Sequence, residues 1–367
     1  MKLKKLVYGL FALQLLTAGF LAVSSLPAQA EDGFVFEPDP SIVDMRNTKK
    51  TSEISIRDPY VLVYGNLYFM YGTGAATTAG YGCYISEDLE NWAGPVNVFE
   101  ADETFDGIKQ FWAPEVHHYN GQFYLFGSYY AQSTGHRGTS VFRSASPIGP
   151  FEEISDGHIT PKDWDSIDGT LFVDDAGQPW MVFVHEWTSM PDGIGDMSAA
   201  KLSDDFSHFI SEPVSLFKAK PVVWATGNIT DGPFVYQTKS GKLLLLWSNN
   251  SINGYSVGIA ESKNGKIDGE WKQQPAMLYP FSNYFKHDGG HAMLFETLDG
   301  KLMMAFHSPN SSTEKMTTAE FHEVVDKGGT LVIKSVAEQS KSFANRMKDL
   351  FFMLKVYFNY LRIFLGL

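Results

Sequence analysis

Five short motifs place a polar or acidic residue directly ahead of an apolar run. They are Arg57-Asp58-Pro59-Tyr60, Trp112-Ala113-Pro114-Glu115, Ile167-Asp168-Gly169-Thr170, Thr230-Asp231-Gly232-Pro233 and Gly289-Gly290-His291. Four carboxylates and one imidazole gathered at one place could perform acid/base chemistry. Cleavage of a glycosidic bond needs such a set: one carboxyl protonates the leaving oxygen while another activates water or attacks directly. A third acid nearby can hold the proton donor neutral by charge repulsion. Taken singly, a carboxylate at a strand start is more often structural, because Asp readily closes turns there.

The elements that must position these residues repeat with them. Counted from Asp58, Glu115, Asp168, Asp231 and His291, the intervals are 57, 53, 63 and 60 residues. That period is too long for a helical hairpin and suits one four-stranded propeller blade with its loops. Each motif leads into a hairpin: Val61–Tyr64 into Leu67–Tyr71, Val116–Tyr119 into Phe123–Phe126, and Leu171–Val173 into Trp180–Val184. Phe234–Tyr236 into Leu243–Trp247 and Met293–Phe295 into Leu302–Phe306 complete the set. These runs are apolar with little alternation, as expected of strands buried between neighbouring sheets. Third strands and an aromatic-pinned fourth follow in the first four units; the fifth is weaker, over Thr317–Phe321 and Leu331–Ile333. The predicted fold is an all-β, five-bladed β-propeller over residues 58–336, with an irregular lead-in over 31–57 and a helical tail over 337–367.

In a propeller, strand one lines the channel and strand two returns antiparallel, so strand-one starts and strand-two exits share a face. That collects the five motifs with Tyr71–Thr73, Tyr129-Tyr130, His185-Glu186-Trp187, Trp247-Ser248-Asn249 and His307. Trp112, Phe111, Trp187, Trp224 and Trp247 are candidates to stack on sugar rings, although tryptophans also wedge between blades. Glu115 would organise a sugar subsite. His117-His118 and His185-x-Trp187 lack zinc-ligand spacing, and neither Gly72-x-Gly74 nor Gly193-x-Gly195 opens a helix.

Bulk composition narrows the partners. Lys2, Lys4 and Lys5, an apolar Leu6–Val23 and a small-residue site at Ala28-Gln29-Ala30 predict an export signal over residues 1–30, cut near Ala30. Its removal would take three lysines and no acids, moving the formal charge from −13 to −16. So acidic a chain repels phosphate backbones and excludes nucleic acid as a partner, while a neutral oligo- or polysaccharide suits it. Cys83 is the single cysteine, so no internal disulfide can form. The tail from Phe343 is rich in Phe, Leu and Tyr but interrupted by Lys348, Asp349, Lys355 and Arg362. Its apolar runs fall short of the ~20 residues that span a bilayer. It reads as a helix packed on the propeller, or as one that meets a membrane surface or a partner. No sequence signal sets the oligomeric state.

Three strings carry a resemblance: Ile56-Arg57-Asp58-Pro59-Tyr60, Phe111-Trp112-Ala113-Pro114-Glu115-Val116 and Ser166-Ile167-Asp168-Gly169-Thr170. In this order and spacing the chain resembles glycoside hydrolase family 43 over residues 55–335. The resemblance implies a five-bladed propeller that removes arabinofuranosyl or xylosyl units by inversion. It implies Asp58 as general base and Asp168 as the acid that orients the donor and raises its pKa. Many family members carry the donor as a glutamate in Glu-Gly-Pro, where this chain has Asp231-Gly232-Pro233. The donor therefore stays open between Asp231, Glu186 and a site that binds sugar without cleaving it. The resemblance also implies a structural calcium ion at the axis, associated with His291 and not required for the chemistry. Without it, a lone histidine entering a strand is a hydrogen-bonded structural residue, and one imidazole does not make a hard-cation site.

Overall fold

The computed structural model describes residues 34–280, 284–312 and 314–366. The predicted leader, residues 1–30, lies outside them. Blade one comprises β2 (Arg57–Tyr64), β3 (Leu67–Thr73), β4 (Gly80–Ser86) and β5 (Asn91–Glu100), with β1 (Thr48–Lys50) on the outer edge of β5. Blade two comprises β6 (Gly107–Tyr119), β7 (Gln122–Ala131), β8 (Arg137–Ser144) and β9 (Glu152–Glu153). Blade three is β10 (Ser166–Val173), β11 (Pro179–His185), β12 (Asp196–Lys201) and β13 (Val214–Lys218). Blade four is β14 (Asp231–Gln237), β15 (Leu243–Ser251), β16 (Gly254–Ser262) and β17 (Trp271–Gln273). Blade five is β18 (Gly290–Glu296), β19 (Leu302–Ser308), β20 (Thr318–Asp326) and β21 (Leu331–Ile333), followed by α1 (Lys334–Gln339) and α2 (Phe343–Phe364).

All the predicted hairpins are present. The inner turn of blade two shows why: Asn120 and Gly121 take φ of 49° and 75°, the double left-handed turn that matches strand twist and that Asn-Gly adopts most readily. One expectation needs correction. The lead-in is not irregular throughout, because Thr48–Lys50 pairs with Asn91–Ala93 and covers the edge of blade one. The fifth blade, weak as a pattern, is a complete four-stranded sheet.

The inner strands β2, β6, β10, β14 and β18 stand side by side around the axis, and β18 returns to β2. Closure needs no shared strand. Blade five packs face to face on blade one, through Phe321 stacked on Trp92 at 6.0 Å and the Ile56 N–H donating to the Thr317 carbonyl. Buried apolar residues of blades one and five merge into one cluster, as do those of blades three and four. The helix α2 sits against the second cluster through Phe352 and Val356, its two buried residues.

Candidate active site

In every blade the pairing of strands one and two slips at the motif that opens the inner hairpin. The slips fall between Arg57 and Tyr60, Trp112 and Glu115, Ile167 and Thr170, Asp231 and Phe234, and Gly290 and Met293. At each slip one residue adopts left-handed backbone: Asp58 (φ 53°), Ala113 (43°), Asp168 (57°), Gly232 (51°) and His291 (55°). These bulges aim one residue per blade at the axis, and for four non-glycines the conformation costs about 1–2 kcal/mol each. They are the true equivalents around the ring. Glu115 lies two residues beyond its blade's position, and Asp231 one before.

The bulges are stapled between blades. Opposite each bulge, strand two of the same blade presents Thr73, Ser128, Val184, Ser248 or His307. Four of these accept from the bulge N–H of the next blade. Ala113 donates to Thr73 Oγ1 (2.8 Å), Asp168 to Ser128 Oγ (3.0 Å), His291 to Ser248 Oγ (2.8 Å) and Asp58 to His307 Nδ1 (3.1 Å). Val184 cannot accept. The Gly232 N–H it leaves over donates instead to Asp168 Oδ2 at 2.9 Å. A missing acceptor in blade three thereby fixes a carboxylate. Glycine is required at 232, since a Cβ there would meet the His291 ring and Cα at 2.7–2.8 Å.

Charge is sorted sharply in this cluster. Burial would push Asp58 up, but His291 Nδ1 at 3.2 Å from its Oδ1 holds it well below the usual carboxylate range. Thr73 Oγ1 donates to its other oxygen at 2.6 Å. Burial would lower His291, yet Asp58 and Asp168 (3.7 Å) raise it to about 10. Asp168 is pushed up to about 6 by burial, offset by His291 and raised again by Asp58. Asp231 is pushed up to about 8, by burial first and the negative charge of Asp168 second. Its Oδ2 accepts from the Tyr255 hydroxyl at 3.0 Å, while Oδ1 is buried with no hydrogen-bond partner among the described residues. Glu186 is raised to about 7 by burial, against the pull of Arg137, whose Nε donates to it at 2.5 Å.

These groups open into a cavity of about 520 Å³. Asp58, Asp168, Glu186, Asp231 and His291 line it with Trp112 and Trp187. A sugar-sized cleft flanked by two indoles, with carboxyls driven to opposite protonation states, is a site for acid/base chemistry on a glycan. The sequence model of glycosyl hydrolases family 43 matches residues 50–326. The chain belongs to glycosyl hydrolase family 43.

Relatives and solved structures agree with the family. The chain is 35% identical to the endo-arabinase from Bacteroides thetaiotaomicron VPI-5482, with a TM-score of 0.70 over 77% of this chain and 99% of that one. It is 28% identical over 171 residues to the extracellular exo-alpha-(1->5)-L-arabinofuranosidase ArbA of Cellvibrio japonicus (strain Ueda107), or 42% of this chain and 46% of that protein. A match to the extracellular endo-alpha-(1->5)-L-arabinanase 1 of Bacillus subtilis (strain 168) runs at 26% over 152 residues, 37% of this chain and 45% of that protein. The chain thus spans about half the length of the curated relatives it matches.

On this family 43 scaffold, four of the predicted sugar contacts, Phe111, Glu115, Trp224 and Trp247, lie outside the cavity lining. Trp247 is fully buried, its ring 4.8 Å from that of Trp224 and its Nε1 donating to Gln273, because strand two of blade four turns this face into the core. Glu115 does not line the cavity; two residues past the bulge it lies buried beside His117, 3.2 Å away, which in turn contacts the Tyr60 hydroxyl. Four lining residues went unread: Arg57 as a contact, Thr188 just past the Glu186-Trp187 exit, Arg137 from the start of β8, and Tyr255 from β16. A signal for the last two existed. Strand three begins where strand two exits, so its first residues share the active face.

The calcium expectation at His291 does not fit the residues present. Among the described residues no group of three or more His, Cys, Asp or Glu side chains could hold a metal. His291 Nδ1 is already directed at Asp58 and Asp168.

Proposed function

We propose that this family 43 protein hydrolyses α-L-arabinofuranosyl linkages of arabinan-type glycans with inversion, a β-xyloside being the alternative substrate. The observation that carries the reading is the sorting of two carboxyls that share one cluster. Asp58 stays ionised through His291, while Asp231 stays protonated to about pH 8. Asp58 takes a proton from water as that water attacks the anomeric carbon. Asp231 gives its proton to the leaving oxygen. Asp168, pinned by Gly232 N–H, supplies the negative charge that helps keep Asp231 neutral. Trp112 and Trp187 provide ring faces, and Arg57 and Arg137 hydroxyl partners. The arabinan choice is supported by what the similar proteins are named for. We also propose that the chain acts outside the cytoplasm, as the extracellular relatives suggest; no helix among the described residues is long and apolar enough to cross a membrane.

Glu186 is the second reading for the donor, because it too is raised, to about 7. Its Arg137 contact favours the ionised form and makes it the poorer acid. Leaving-group chemistry separates the two. Asp231→Asn should slow arabinan hydrolysis by about 10²–10⁴ yet spare an aryl arabinofuranoside whose phenol leaves without protonation. If Glu186→Gln shows that pattern and Asp231→Asn does not, the donor is Glu186. No turnover of arabinan, arabinosides or xylosides, with sugar binding retained, would replace the enzyme reading by a binding propeller.

A further inference from the structure

The helix α2 has two apolar faces, and the propeller uses one. Phe352 and Val356 are buried against blades three and four. Leu350, Phe351, Leu354 and Phe358 point away from them, with 50%, 64%, 40% and 64% of their surfaces exposed. At 100° per residue these four fall on one stripe, which Phe343 (73% exposed) and Leu365 (61%) extend at either end. Isolated exposed apolar residues are ordinary; a continuous aromatic stripe along a 22-residue helix is not.

Charge decides what the stripe fits. Arg346, Lys348, Lys355 and Arg362 against Asp349 give α2 a net charge of +3, within a chain of −13. Lys348, Lys355 and Arg362 recur at seven-residue steps, so they form one row along the border between the exposed stripe and the buried face. Asp349, the one acid of the helix, is turned inward and accepts from Ser340 Oγ at 2.8 Å. A second copy of this chain would set one cationic row against another across a two-fold interface. An anionic lipid surface suits both features at once: aromatic and aliphatic side chains enter the headgroup boundary while long cationic side chains reach the phosphates. The rest of the molecule is strongly acidic and is repelled by such a surface, which orients the protein helix-down.

We propose that α2 is a membrane-surface docking helix that holds the propeller on anionic lipid. The test uses the chain from Glu31 onward, which retains every described element and lacks the apolar leader. Flotation with vesicles of phosphatidylglycerol in phosphatidylcholine, compared with phosphatidylcholine alone, should show binding to the anionic vesicles that weakens as salt rises. The triple variant Lys348→Gln, Lys355→Gln, Arg362→Gln should lower binding by more than about tenfold. Leu354→Ser with Phe358→Ser should do the same with all the charges in place. Both variants should keep the wild-type circular dichroism and wild-type activity on a soluble glycoside. The wild-type salt dependence serves as the readout if a variant fails to fold. Absence of wild-type binding overturns the proposal. So does equal binding to neutral vesicles, unchanged binding by the triple variant, or a dimer in light scattering that the Leu354/Phe358 variant dissociates.

Discussion

Blades one, three and five differ from blades two and four at a single equivalent position. The bulge residue is Asp58, Asp168 or His291 in the first group and Ala113 or Gly232 in the second, with backbone φ between 43° and 57° in all five. One backbone device, repeated around an axis, delivers every bulge side chain to the same small volume. Chemistry then depends only on which blades fill the position with an ionisable group. Blades two and four contribute there through backbone N–H groups. The donor candidate of blade four, Asp231, comes from one residue earlier, where the chain has not yet turned to the axis. An unequal supporting ring adds to this asymmetry. Four blades offer a side-chain acceptor to the next bulge, and blade three offers Val184, so that Asp168 receives the N–H left over.

The comparison breaks most severely at Asp58. Asp58→Asn keeps the shape but cannot accept a proton from water, and kcat on arabinan should fall by about 10²–10⁴ with little change in KM. A loss below tenfold would remove Asp58 from the base role.

Asp168→Asn should have the next largest effect, about 10²-fold, and its signature lies in the pH profile. Asp168 contributes to holding Asp231 up at about 8, so removing its charge lowers the pKa of Asp231. A donor works only while protonated. The alkaline limb of kcat/KM should therefore move to lower pH in the variant, whereas an unmoved limb would show that Asp168 does not act through the donor.

The smallest effect sharpens the supporting ring. Val184→Thr restores to blade three the acceptor that its neighbours have, and the new hydroxyl competes with Asp168 for Gly232 N–H. The Gly232 contact lowers the pKa of Asp168, so its loss raises that pKa above about 6 and shifts the acidic limb of activity upward. We expect a loss of about tenfold or less with that shift. Val184→Ala, which opens a gap without an acceptor, should lower Tm and leave the limb where it is.

Much of this architecture was legible as repetition. Hairpins with Asn-Gly and Asp-Gly turns and near-continuous apolar runs mark out five blades, because turn geometry and burial between sheets are dictated locally. The motifs around Asp58 and Asp168 were readable for the same reason. Glu115 and Asp231 were misaligned with them because a one-residue bulge leaves no trace in a count of residues, yet changes which side chain faces the axis. Trp247 was misjudged because a strand-two exit can turn a ring either to the mouth or to the neighbouring blade. Arg137 and Tyr255 come from third strands, which no inner-strand repeat reveals.

By itself the sequence determined the number of blades, the acids available and the amphipathic, cationic character of the tail. These follow from local backbone preference and from the order of apolar and polar residues. Only the tertiary structure decided which acids meet, which is charged and which stays protonated. Those properties depend on distances among groups far apart in the chain, such as Asp58 and His291 or Asp168 and Asp231, and on the burial they share. The same holds for α2: its composition is in the sequence, but which of its two apolar faces the propeller covers is a fact of packing.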